Sequence, residues 1–140
     1  MTAASASVAA LQGALAAEHA AVYGYGVVGA MLTGAHQATA RTDWTAHQVA
    51  RDTLVTMLTR LGATPVAASP AYELPFGVTS ANSAAKLAAA LEDGVTRAYL
   101  GLVAVSNPAL RTYAARAMQT SANRALAWSG TTTAFPGMPV

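Results

Sequence analysis

Hydrophobic positions recur every three or four residues along the chain, which is the spacing of the buried face of a packed helix. The first such stripe consists of Val8, Leu11, Leu15, Glu18, Val22, Tyr25, Gly29 and Leu32. The second consists of Trp44, His47, Arg51, Leu54, Leu58 and Leu61, and the third of Ala88, Leu91, Val95, Tyr99 and Leu102. Alternation of apolar and polar residues, typical of a half-buried strand, does not occur, so the pattern predicts an all-α fold.

Capping signals set the bounds of four helices. The expected helices run from about Ser5 to Leu32, Ala35 to Leu61, Ser80 to Val105 and Pro108 to Gly130, with Asn107 as the last N-cap. The turns near Gly34 and Pro108 are short, and short turns join antiparallel helices. The sequence therefore predicts a four-helix bundle made of two helical hairpins.

The connection between the hairpins, residues 61–79, is long and contains three prolines. Its residues 62–79, extended at about 3.3 Å per residue, reach roughly 59 Å, whereas helices of this size span roughly 39 Å. It can therefore cross the whole bundle. We expect one domain over residues 1–140, with the apolar tail 131–140 docked on the bundle or on a partner subunit.

The two hairpins resemble copies of one another. Leu15 to Ala30 aligns with Ala88 to Ala104, which pairs Glu18 with Glu92 and Tyr25 with Tyr99, and a similar offset pairs Arg51 with Arg124. Each hairpin then carries a Glu and a Tyr on its first helix and an Arg on its second. We predict an internal duplication.

Composition narrows the functional classes. The chain is 54% hydrophobic and only 10% charged, so an apolar surface and a homodimer are expected. A net charge of +2 without a basic cluster argues against nucleic-acid binding, and the lack of Cys excludes disulfides and thiol chemistry. The longest uncharged apolar run, Ala20 to Leu32, is well short of the roughly 20 residues that a membrane span needs. The N-terminus has no Lys or Arg before its apolar stretch, so we expect no signal peptide and a cytoplasmic protein.

Polar residues interrupt the predicted core near the middle of the bundle. We expect these to converge there as one cluster: Glu18, Tyr25, His47, Arg51, Glu92, Tyr99 and Arg124. Three interpretations stay open. The cluster is a buried network of Arg–carboxylate ion pairs, a site at which the arginines hold a small anion, or a mononuclear metal site on Glu18, His47 and Glu92.

The helix 1 stretch LAAEHAAVYGYGVVGA resembles a family of Ala-rich ferritin-like domains of unknown function from high-GC bacteria. The segments HQVARDTL and YELP and the region from Glu92 to Tyr99 resemble it as well. The resemblance implies a ferritin-like four-helix bundle. The wider ferritin-like superfamily implies a di-iron site with a Glu-x-x-His motif on the second and fourth helices. That motif is absent from this sequence, and only Glu18 and Glu92 match the pattern.

The sequence therefore predicts a non-catalytic structural, interaction or binding bundle, without a cofactor and without catalytic residues. Two alternatives are a small-anion or small-molecule binder that uses the core arginines and a divergent iron-binding redox or storage protein. The run Gly24-Tyr25-Gly26-Val27-Val28-Gly29 matches the dinucleotide-binding pattern, but it lies inside a predicted helix and not after a strand. We interpret it as a place of close helix packing.

Overall fold

The structure is a computed structural model that describes residues 1–131, 135, 136 and 138. Within these residues the fold is all-α, as predicted, and contains four helices and no strand. They are α1 (Ala3–Ala30), α2 (Gly34–Arg60), α3 (Ala81–Val103) and α4 (Pro108–Ser129). Most of the 131–140 tail lies outside the described residues. No helix of the described part is both long enough and apolar enough to span a bilayer.

Local chemistry accounts for the helix ends. The Ser80 side chain accepts from the backbone N–H of Ser83 while Ser83 bonds back, which forms a capping box at the start of α3. The Asn107 side chain accepts from the N–H of Leu110 at 3.1 Å, and α4 ends at Gly130 with a left-handed φ of 73°. Gly34, expected to end helix 1, is instead the first residue of α2.

The close helix pairs are α1–α2, α1–α3 and α3–α4, whereas α2 and α4 pack less closely. Helix α3 runs antiparallel to α1, because Glu18 meets Tyr99 and Tyr25 meets Glu92. Gly24 lies at this α1–α3 contact, where an added Cβ would stand 2.5 Å from a methyl group of Leu91. Close approach therefore explains Gly24 but not its neighbours Gly26 and Gly29, which face open space.

The crossover follows α1 from one end of the bundle to the other. Near its start, Gln12 donates to the carbonyl of Thr64 and accepts from the N–H of Val66. Further along, the ring of Tyr72 packs 5.5 Å from that of Tyr23. These contacts order a long, proline-containing segment and bring the chain to the end of the bundle where α3 begins.

Two apolar layers enclose a polar one. The lower layer is centred on Leu11, Leu15, Leu54, Leu58 and Leu102, and the upper on Val28, Leu32, Leu87 and Ala88. Charged side chains lie between them, and three are almost fully buried: Glu18, His47 and Glu92. Burial of apolar side chains contributes about 25 cal/mol per Å², so these layers hold the helices and position the polar residues.

Candidate functional site

The centre of the polar layer is His47, whose imidazole lies between two glutamates. Its Nδ1 is 2.6 Å from Oε2 of Glu18, and its Nε2 is 2.9 Å from Oε1 of Glu92. One side chain from each of α1, α2 and α3 thus meets in one chain of hydrogen bonds. The phenol of Tyr25 stacks on the imidazole with ring centroids 5.2 Å apart.

Two tyrosines complete the arrangement by crossing between α1 and α3. The Tyr99 hydroxyl donates to Oε1 of Glu18 at 2.8 Å, and the Tyr25 hydroxyl donates to Oε1 of Glu92 at 2.6 Å. Burial and the neighbouring carboxylates raise the pKa of both tyrosines, so their hydroxyls stay protonated and donate. We call these five residues (Glu18, Tyr25, His47, Glu92 and Tyr99) the carboxylate–histidine network.

An ionised carboxylate on each side of the ring requires a charged imidazole. A neutral histidine donates from one ring nitrogen only, whereas ionised carboxylates only accept, so both nitrogens of His47 must carry a proton. Burial lowers the pKa of His47, but hydrogen bonds and charge from Glu18 and Glu92 outweigh it and raise the pKa to about 9. Two carboxylates and one imidazolium leave the network with one net negative charge.

The two glutamates differ in how fully their oxygens are bonded. Each oxygen of Glu18 has one donor, Tyr99 or His47. Oε1 of Glu92 accepts from both Tyr25 and His47, whereas its buried Oε2 has no partner among the described residues. Glu92 is fully buried.

An outer set of groups closes the Glu92 side. Asp43 accepts from Nε1 of Trp128 at 2.9 Å and pairs with Nε of Arg124 at 3.3 Å. Asp43 was not among the predicted site residues, although it lies one helical turn before His47 on the same face of α2. The apolar stripe predicted for the second helix began at Trp44. In the structure Trp44 is partly exposed, and its indole N–H donates to the carbonyl of Val22.

The predicted meeting of Arg51 and Arg124 with the two glutamates is wrong. Arg51 bonds to Asp52 beside it on α2, and Arg124 pairs with Asp43 and not with Glu92. The error came from the turn, which we centred at Gly34, whereas the loop between the helices is Met31–Thr33. Moving the centre back brings His47 level with Glu18 and carries Arg51 one turn beyond it.

A cleft of about 330 Å³ lies between α2 and α4 and reaches down to this network. Its deepest lining residues are Glu18, His47 and Tyr99, and small residues such as Ala46 and Ala50 line its wall. Arg116 and the partly buried Arg124 lie nearer the surface. We call this space the α2–α4 cleft. No pattern in the sequence predicts this cleft, because it exists where two helices separate.

A di-iron centre does not fit these residues. Metal ligands need a free lone pair directed at the ion, but both ring nitrogens of His47 are bonded to carboxylates. Within residues 1–131 and the other described positions, no three His, Asp or Glu side chains are arranged as metal ligands. The imidazolium itself carries the positive charge that balances the glutamates.

Fold and site together define a class: an all-α bundle of two hairpins whose core holds a carboxylate–histidine network beside an open cleft. Residues 10–140 match the family described as Domain of unknown function (DUF4439), and the chain belongs to this family. The crystal structure of a conserved hypothetical protein from Mycobacterium tuberculosis is similar, with a TM-score of 0.87 and 35% identity. That match covers 90% of this chain and 96% of the other. A search among curated proteins finds no match.

Proposed function

We propose that this protein is a non-catalytic binding bundle, a divergent relative of the ferritin-like class, whose α2–α4 cleft binds a small molecule through an anionic group. The observation that carries the proposal is the cleft itself, which joins two guanidinium groups to the buried network. Its volume of about 330 Å³ lies at the lower end of the range for small-molecule sites, roughly 300–1,000 Å³.

The two arginines supply the recognition. Among the described residues Arg116 has no ion-pair partner within 4.0 Å, and Arg124 offers its Nε to Asp43, which leaves its terminal nitrogens for a ligand. Guanidinium groups bind carboxylates and phosphates through paired, charge-assisted hydrogen bonds. Small alanines on the cleft wall leave room between the arginines and the buried floor.

Inorganic phosphate is a suitable first probe. Its binding is measured at low ionic strength by NMR chemical shifts or by calorimetry. We expect saturable binding that shifts resonances of α2 and α4 around the cleft, and a loss of about tenfold or more in affinity on Arg116→Gln. Arg111→Gln is the matched control, because Arg111 is on the same helix but does not line this cleft.

Two results would contradict the proposal. Phosphate shifts that stay linear up to high concentration would show only a general salt effect. Saturable binding that Arg111→Gln weakens as much as Arg116→Gln does would place the anion elsewhere on the surface.

The hydrogen bonds of His47 favour anion binding over iron storage or redox chemistry. An iron-binding protein would need His47 to release one of its two carboxylate partners, and each is within 3 Å of a ring nitrogen. Iron binding by the unmodified protein can be compared directly with iron binding by His47→Ala, because this substitution removes the internal cation while both glutamates remain.

A further inference from the structure

We infer that the ligand of the α2–α4 cleft is a small zwitterion, with a primary ammonium group directed at the Glu18 carboxylate and an acidic group at the arginines. This inference rests on the proposed function and deepens it. Its basis is a separation of charge within one cavity: a buried carboxylate forms part of the floor, whereas guanidinium groups lie nearer the surface.

The floor offers hydrogen-bond acceptors. A carboxylate has about four lone-pair positions, and Glu18 uses one on each oxygen, for Tyr99 and for His47. The Tyr99 hydroxyl gives its proton to Glu18, and Tyr99 itself is fully buried beside the ring of Tyr113. Neither nitrogen of His47 can donate to a ligand, since both face carboxylates. A ligand that reaches the floor must therefore bring donors.

The net charge of the floor also favours a ligand group that donates hydrogen bonds. His47 carries one positive charge, but Glu18 and Glu92 carry two negative charges, so the network attracts a cation. At low local dielectric the Coulomb attraction between an ammonium ion and this network is stronger than in water. An ammonium group has three donors and matches the unused acceptor positions of the Glu18 carboxylate.

The outer part of the cleft requires a ligand group that accepts hydrogen bonds. Arg116 and Arg124 only donate, and Arg116 has no carboxylate partner among the described residues. The hydroxyls of Thr53 and Thr120, which also line the cleft, donate to carbonyls of their own helices. An acidic group is the complement of the two arginines. One molecule with both groups satisfies both ends, whereas a simple anion leaves the floor unmatched.

A matched set of four-carbon probes tests the inference: butyrate, n-butylamine and 4-aminobutyrate, each titrated into the unmodified 140-residue chain by NMR. We expect 4-aminobutyrate to bind at least about tenfold more tightly than butyrate. In Glu18→Gln the two acids should bind equally, because the amine has lost its charged partner. Glu73→Gln, an exposed glutamate in the crossover, is the control and should leave the preference unchanged.

The outcomes separate the two proposals. Equal affinity of butyrate and 4-aminobutyrate in the unmodified protein, with phosphate still bound, would overturn the zwitterion and leave the anion site standing. Failure of phosphate and both acids to bind would overturn the proposed function as well. The comparison of ligands needs only the unmodified chain, so it stays decisive even if Glu18→Gln does not fold.

Discussion

The second helices of the two hairpins differ far more than the first. Helices α1 and α3 mirror each other, since each gives a Glu to the other's Tyr. Helix α2 sends His47 between those glutamates, whereas the duplication offset that pairs Arg51 with Arg124 puts Thr120 in the place of His47 on α4. The Thr120 hydroxyl bonds to the carbonyl of Arg116 on its own helix and does not reach the glutamates.

This asymmetry explains the cleft. A large ring on α2 fills one side of the core, and a short side chain on α4 leaves the other side open, where Glu18 forms part of the floor. Glu92 lies on the closed side, near Asp43, Trp128 and Arg124. Two glutamates in similar sequence contexts thus have different surroundings: Glu92 is enclosed, while Glu18 forms part of the floor of the α2–α4 cleft. The duplication itself stays a prediction.

The largest expected effect comes from removing the imidazolium on which both sides depend. His47→Ala leaves two buried carboxylates without their shared cation, which should lower the free energy of unfolding by about 3–5 kcal/mol. Denaturation in urea followed by circular dichroism measures this. The control His36→Ala, at an exposed position of the same helix, should change stability by no more than about 0.5 kcal/mol. Equal stability of both variants would mean that His47 is not the charged centre of the network.

The second-largest expected effect is a loss of stability at alkaline pH, caused by deprotonation of His47. Its folded pKa of about 9 lies above the ordinary value of 6.5, so its contribution is complete below pH 6.5 and is lost as the pH rises through 9. The free energy of unfolding should fall by about 3 kcal/mol across this window. Glu18, Glu92 and Tyr25 surround the ring, and the raised pKa of Tyr25 keeps that phenol from titrating in this range.

Denaturation at a series of pH values measures the loss, and the NMR titration of the His47 ring gives its pKa directly. His47→Gln should show a much flatter profile, whereas His36→Ala should keep the profile of the unmodified protein. A His47 titration near 6.5, or an equally steep profile in His47→Gln, would show that another group causes the pH dependence.

The smallest effect is the difference between the two glutamates. Glu92→Ala leaves Nε2 of His47 without an acceptor in a closed site, whereas after Glu18→Ala water from the cleft can accept from Tyr99 and His47. We expect Glu92→Ala to cost about 1–3 kcal/mol more, the penalty for an unsatisfied buried donor. Urea denaturation of both variants under one set of conditions measures the difference. An equal cost would show that the cleft does not admit water to Glu18.

Much of the fold follows from local rules that the sequence displays directly. The three-and-four spacing of apolar residues, the Asn107 cap and the glycine at the end of α4 predicted four helices close to their observed bounds. Such rules act within a few residues, so tertiary structure changes them little.

The candidate site was predicted only in part. Glu18, Tyr25, His47, Glu92 and Tyr99 were identified because polar residues on or beside an apolar stripe must meet inside the bundle. Which of these side chains bond to one another was not predicted, because a shift of the turn by two residues changes which side chains are level across a hairpin. Arg51 was consequently placed in the core and Asp43 was missed.

The sequence by itself determined the helices, the hairpins and the set of groups buried in the core, because each depends on periodicity, capping and the exclusion of water from apolar faces. Only the tertiary structure decided that one histidine bridges two glutamates, that tyrosines cross between α1 and α3, and that α2 and α4 separate into a cleft. These features depend on helix register and on interhelix distance, and both are set by packing among residues far apart in the chain.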